Sequence, residues 1–210
     1  MQLVFVFIAL FALAFAEWQP KDYDYLIKES AFQEDMLKLH FKLYQGYIKN
    51  SNELSKKIYN SLQNGNNIEY SELKRRFAWE YDGMRLHELY FENLGANGQI
   101  DPNSSIYLAL KKQFGSYENW KKDFIATGNI RGIGWVILYY DTNTQMFTNA
   151  WIAEHNSGHL VNEKPLLIMD VFEHAYMLQF GLNKAHYIDT FFSSIKWQEV
   201  QNRYDQLQSK

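Results

Sequence analysis

Asp170 and His174 stand four residues apart at the end of the apolar run "KPLLIMD". A helical turn starting there would bring a carboxylate and an imidazole to one point. A carboxylate emerging from a buried strand needs a cation, a metal or several hydrogen-bond donors beside it. His87 falls on an apolar helical stripe, an odd place for an imidazole without a partner. Two imidazoles and one carboxylate are a donor set that suits iron, manganese or zinc. Each residue also has a plainer role open to it: Asp170 as the cap of the following turn, His174 and His87 as satisfied core histidines.

The elements that must position these residues are legible from periodicity. Over residues 32–54, Met36, Leu39, Leu43, Tyr47 and Leu54 recur at helical spacing, which predicts a long amphipathic helix. "NGNN" at 64–67 separates it from a second stripe of Leu73, Phe77, Tyr81, Met84, His87, Phe91 and Leu94, stopped by Gly95. Two long helices with a short connection pack as an antiparallel hairpin. "GANGQIDPNSS" is the natural linker. Beyond it come two short helices broken at Gly115-Ser116, then two β-rich runs joined at Asp141-Thr142-Asn143-Thr144, then "PLLIMD" as a third strand and helical segments to the end. The fold class is α+β: an N-terminal antiparallel long-helix hairpin, residues 17–100, and a C-terminal domain, 101–210, with a three-stranded antiparallel sheet surrounded by helices.

Bulk composition narrows the function. The 210 residues are 47% hydrophobic, ample for a core in one or two small domains. A net charge of −3 with no basic cluster argues against a nucleic-acid partner. Residues 1–16 form an apolar run ending Ala14-Phe15-Ala16, an export-signal pattern that predicts a secreted or extracytoplasmic chain with no membrane attachment after cleavage. A retained anchor is the alternative. With no cysteine, stability must come from packing or a partner. Asn103-Ser104-Ser105 is a glycosylation sequon that matters only in a eukaryotic secretory route.

Several segments together resemble the iron/manganese superoxide dismutases. "DVFEHAYMLQFG" is similar to that family's D-x-W-E-H-A-Y signature, with Phe172 in place of the usual Trp. "HELYFENLG" resembles its second-helix motif, "FGSYENWKKDF" with "GIGWVILYYD" its central segment, and "IKWQEVQNRY" its closing one. The resemblance implies a mononuclear iron or manganese site with His87, Asp170 and His174 as ligands, joined by a first-helix histidine and a solvent molecule. It implies that Tyr47 guards the channel for superoxide and that His155 hydrogen-bonds the metal-bound solvent. It also implies a homodimer bridged through Glu173 and Tyr176.

One ligand departs from the pattern. Counting back from Tyr47 without a gap places Leu39 at the first-helix ligand position and Leu43 where a second family histidine stands near the channel. Leucine has no lone pair to give, and an apolar pair there looks like a repacked core. His40 is the alternative ligand: it lies near the middle of the apolar stripe, and a one-residue slip or bulge would present it to the metal. Retained Tyr47, Asp170 and His174 favour superoxide dismutation, whereas Leu39 and Leu43 oppose it. The competing reading is a metal-free or impaired pseudoenzyme that keeps the fold as a binding or dimeric structural protein. Other oxygen chemistry at a two-His-one-carboxylate iron is disfavoured, because these ligands should lie in a plane.

Overall fold

A computed structural model describes residues 17–208, so the proposed export signal lies outside the described residues. After a short helix α1 (Leu26–Glu29), the long helices α2 (Glu34–Gln63) and α3 (Asn67–Glu92) form the hairpin. Helix α2 continues well past Leu54. Between Ser51 and Ser61 it has no buried residue, which is why the apolar periodicity fades before the helix does. Asn64 caps its end and Gly65, at φ +68°, turns the chain. The side chain of Asn66 then accepts from the Glu69 N–H to start α3. On α3, Met84, His87 and Phe91 are buried as the stripe predicts, and so is Leu94 just past its end. Phe77 and Tyr81 are only half-buried, covered on that side by the ring of Trp18.

The C-terminal half follows the expected pattern. Helices α4 (Ser105–Phe114) and α5 (Tyr117–Gly128) break at Gly115, which has φ +82°. Strands β1 (Trp135–Asp141), β2 (Met146–Ile152) and β3 (Lys164–Asp170) form an antiparallel sheet of order β2-β1-β3. The Asp141 carboxylate accepts from the Asn143 N–H and the Thr144 hydroxyl, fixing the predicted hairpin turn. A 3-10 turn (Glu173–Ala175) and helices α6 (Met177–Phe180), α7 (Lys184–Ser193) and α8 (Trp197–Gln208) complete the chain. The architecture is α+β, a helical hairpin joined to a three-stranded sheet among helices.

What matters for the site is how β3 is pinned. It is an edge strand, so one row of its backbone groups has no strand partner. Buried Asn93, just past α3, takes that place: its amide donates to the Ile168 carbonyl at 3.2 Å and its oxygen accepts from the Ile168 N–H at 2.9 Å. Arg203 of α8 donates to the Leu166 carbonyl at 3.0 Å. The hairpin is thereby tied, by backbone-like bonds, to the strand whose last residue is Asp170.

Candidate metal centre

Four side chains from four separate elements converge between the hairpin and the sheet. His40 of α2, His87 of α3, Asp170 at the end of β3 and His174 in the 3-10 turn each bring one donor atom, and all four atoms lie within 4.8 Å of one another. The Nε2 atoms of His174, His40 and His87 lie 3.1, 3.2 and 3.7 Å from Asp170 Oδ2. Donors bonded to one ion at about 2.0–2.2 Å are separated by roughly 3–4 Å, so the cluster has the dimensions of a coordination sphere.

Each ligand has a local reason for its direction. Asp170 Oδ1 accepts from the Phe172 N–H at 2.8 Å, which turns Oδ2 toward the histidines. His87 donates Nδ1–H to the Gly83 carbonyl at 2.6 Å, one turn back on the same helix, so its Nε2 carries the lone pair. That Nε2 is fully buried and has no hydrogen-bond partner. His40 and Asp170 are buried, while the His174 side chain is 31% exposed and marks the open side. His40 Nδ1 finds no partner among the described residues, while its Nε2 lies 3.2 Å from the Asp170 carboxylate, which can only accept.

The electrostatics favour the state a metal needs. Burial holds His40 below the ordinary imidazole range, against the pull of Asp170. Burial, reinforced by His40, pushes His87 well below it. Burial alone would raise the Asp170 carboxyl, but His174 and His40 outweigh it through charge and hydrogen bonds and hold it far below the usual carboxylate value. His87 already presents a bare Nε2 lone pair, whereas His40 Nε2 donates to the ionised Asp170 at 3.2 Å and gives up that proton when a cation takes its place. The unpartnered buried Nε2 of His87 is costly, and a divalent or trivalent cation beside Asp170 resolves it. The donor set therefore fits iron or manganese.

The expectation for Leu39 is corrected here. Leu39 is 58% exposed and lines a surface cavity of about 430 Å³ whose wall also includes His40 and His174, and His40, not Leu39, brings the donor to the cluster. Leu43 lines the same cavity and packs half-buried against the core. The reason is helical geometry. α2 is α-helical without interruption from Glu34 to Gln63. Residues seven apart, such as His40 and Tyr47, then share a face, whereas residues eight apart are about 80° out of register. The ungapped count placed the donor about 80° from Tyr47, where this unbroken helix exposes Leu39 and buries His40 instead.

Tyr47 and His155 meet directly. Trp135 can only donate, and its Nε1–H points at His155 Nδ1 at 3.0 Å. His155 therefore carries its proton on Nε2 and donates it to the Tyr47 hydroxyl oxygen at 2.8 Å. Burial pushes the His155 pKa down to about 4. The Tyr47 ring packs against His87 with centroids 5.0 Å apart, and Phe172 stacks on His174 at 5.4 Å, keeping an aromatic wall where Trp was expected. Glu173 is exposed and lines the cavity, and Tyr176 is half-buried.

Gly83 escaped the sequence reading. A Cβ there would lie 2.9 Å from Tyr47 Cδ1 and 3.1 Å from His155 Cδ2. A glycine inside a helix, in "YDGMRLHE", was the available signal, because the position is otherwise unfavourable. Trp135 and Asn93 were also missed, since neither role is written in local spacing.

Fold and cluster together define an α+β protein with a candidate mononuclear metal centre built across the junction of its two parts. The alpha-hairpin domain of the iron/manganese superoxide dismutases matches residues 17–95, and the C-terminal domain of the same family matches 102–203. The chain is similar to manganese superoxide dismutase 1 of Halobacterium salinarum, with 28% identity over 90% of this chain and 95% of that protein. It is 29% identical to the manganese/iron superoxide dismutase of Aeropyrum pernix, over 90% and 91%. It is 30% identical to the manganese enzyme of Mycolicibacterium fortuitum, over 90% and 92%. The chain belongs to the iron/manganese superoxide dismutase family.

Proposed function

We propose that the chain is an active superoxide dismutase in which His40, His87, Asp170 and His174 hold one iron or manganese ion. The observation that carries this reading is the recovery of a fourth donor, His40, in the place where Leu39 was expected. Bound there, the metal supplies one-electron chemistry, so that two superoxide ions and two protons become oxygen and hydrogen peroxide. The protein's own residues bind and position. Because Tyr47 Oη accepts from His155, its hydroxyl proton is free to face a substrate oxygen rather than its neighbour. Phe172, Trp135 and Trp79 surround His155 and keep bulk water from that pair. The pseudoenzyme alternative rested on Leu39 and Leu43; His40 as donor weakens the first ground, and the second remains.

Two further parts of the proposal rest on other features. The apolar run 1–16 supports export of the mature chain; among the described residues no helix is long and apolar enough to cross a membrane. Exposed Leu39, Met177 and Leu178 around the cavity beside Glu173 support a homodimer on that face. The test is elemental analysis with a superoxide assay on purified His40→Leu and His40→Leu/Leu39→His chains. The wild type should carry about one ion per chain and turn over. His40→Leu should lose both, and adding Leu39→His should restore neither. Full metal and turnover in His40→Leu would overturn the assignment.

A further inference from the structure

The loop that carries His155, residues 153–158, follows β2 and has little regular structure. Its ring is gripped by Trp135 on β1 and aimed at Tyr47, but a ring is only as fixed as the backbone beneath it. The backbone carbonyl of His155 accepts from His159 Nε2 at 2.7 Å. A carbonyl can only accept, so His159 carries its proton on Nε2 and leaves Nδ1 bare. Nδ1 then accepts from the Tyr139 hydroxyl at 2.6 Å. Tyr139 lies on β1, as Trp135 does. One rigid strand thus holds His155 at two points: its ring through Trp135, and its peptide group through Tyr139 and His159. A third restraint, Trp79 Nε1 donating to Glu154 Oε2 at 3.1 Å, holds the preceding residue to α3.

From this geometry we infer that His159 is a positioning residue, which fixes the peptide of His155 so that its Nε2–H meets the Tyr47 hydroxyl. The inference rests on the proposed dismutase reading for its consequence in turnover, but not for its geometry. The His155–Tyr47 bond of 2.8 Å tolerates well under 1 Å of drift before it is lost. Phenylalanine at 159 would fill the space while removing both the donor and the acceptor. Glutamine can donate an amide proton to the same carbonyl and accept from Tyr139.

The experiment compares His159→Phe with His159→Gln in the full chain, by two readouts. The first is the indole N–H signal of Trp135 in the metal-free chain, identified by its disappearance in Trp135→Phe. It should shift and exchange faster with solvent in His159→Phe, and stay close to wild type in His159→Gln. The second is turnover by the metal-loaded chain. His159→Phe should lower it about tenfold at unchanged metal content, by analogy with groups that orient a metal site. The same substitution in a Tyr47→Phe background should add almost nothing, because its effect passes through Tyr47. If His159→Phe does not fold, Tyr139→Phe, which deletes only the hydroxyl, should move the Trp135 signal in the same direction. An unmoved Trp135 signal in whichever of these two variants folds, or an undiminished effect in the Tyr47→Phe background, would overturn the inference. A wild-type chain without superoxide turnover would sink the functional reading alone, since the Trp135 signal still reports on His159.

Discussion

Two helical glycines make a matched pair, and replacing each with alanine tests whether the Tyr47–His155 contact is as tight as the geometry requires. Alanine in a helix interior is favoured over glycine by about 1 kcal/mol. At Gly46 on α2, an added Cβ meets nothing within 4 Å, so Gly46→Ala should gain up to that amount. A protein of this size would show it as a rise of roughly 2–4 °C in Tm. At Gly83 on α3 the same Cβ would lie 2.9 and 3.0 Å from two carbons of the Tyr47 ring. Ordinary carbon contacts are about 3.5–4.0 Å, so the ring must retreat by roughly 0.6–1 Å. It cannot do so freely, because Trp79 and His87 pack against it with centroids 5.5 and 5.0 Å away. Overpacking of this kind costs about 1–3 kcal/mol, which offsets or exceeds the helical gain and leaves a net loss of about 0–2 kcal/mol. The displacement also stretches the Tyr47–His155 hydrogen bond past its useful range, and misplacement by ~1 Å can cost up to about a hundredfold in rate. Thermal unfolding and superoxide turnover per bound metal, measured on both variants, decide the matter. Gly83→Ala that gains stability as Gly46→Ala does, with full turnover, would refute the reasoning.

Other outcomes follow from the same structure. Asn93→Leu strips the edge of β3 of a donor and an acceptor in a buried place, at about 1–3 kcal/mol for each group left unmet. Urea unfolding should show a loss of at least about 2 kcal/mol, and an unchanged midpoint would mean that Asn93 is not what pins β3. Stability should also depend on His155 between pH 6.5 and pH 4. Burial lowers its folded pKa to about 4, so the unfolded chain binds the proton more readily in that window. The sign is therefore a loss on acidification: stability is full above about 6.5 and falls by about 3 kcal/mol as pH drops through 4. Comparing His155→Gln with wild type in urea across this range should remove that portion of the slope. Finally, Leu178→Glu puts a charge on the exposed apolar rim. If the proposed dimer forms on this face, the variant should sediment as monomer with metal content unchanged, and an unaltered sedimentation coefficient would refute that interface.

The α+β plan was open to reading because it rests on short-range regularities. The stripes on α2 and α3 repeat at helical spacing, Gly65 and Gly115 sit where the chain must turn through positive φ, and β3 is an apolar run ended by Asp170. His87, Asp170 and His174 could likewise be named as partners from residue type and from the motifs around them. What residue order by itself could not decide was which residue of α2 faces them. Counting from Tyr47 pointed to Leu39, while the pitch of an unbroken helix presents His40, and only packing of α2 against α3 and the 3-10 turn distinguishes positions 100° apart. The supports of Tyr47 belong to the same class. Gly83, Trp135 and His159 lie 36, 88 and 112 positions from Tyr47 along the chain, and their effect on it depends on distances of about 3 Å that no local pattern encodes. Periodicity sets which side of each element is buried, because burial of apolar area is a property of the element itself. The coordination sphere and its hydrogen-bonded flank belong to the contacts between elements, and those exist only once the hairpin has closed on the sheet.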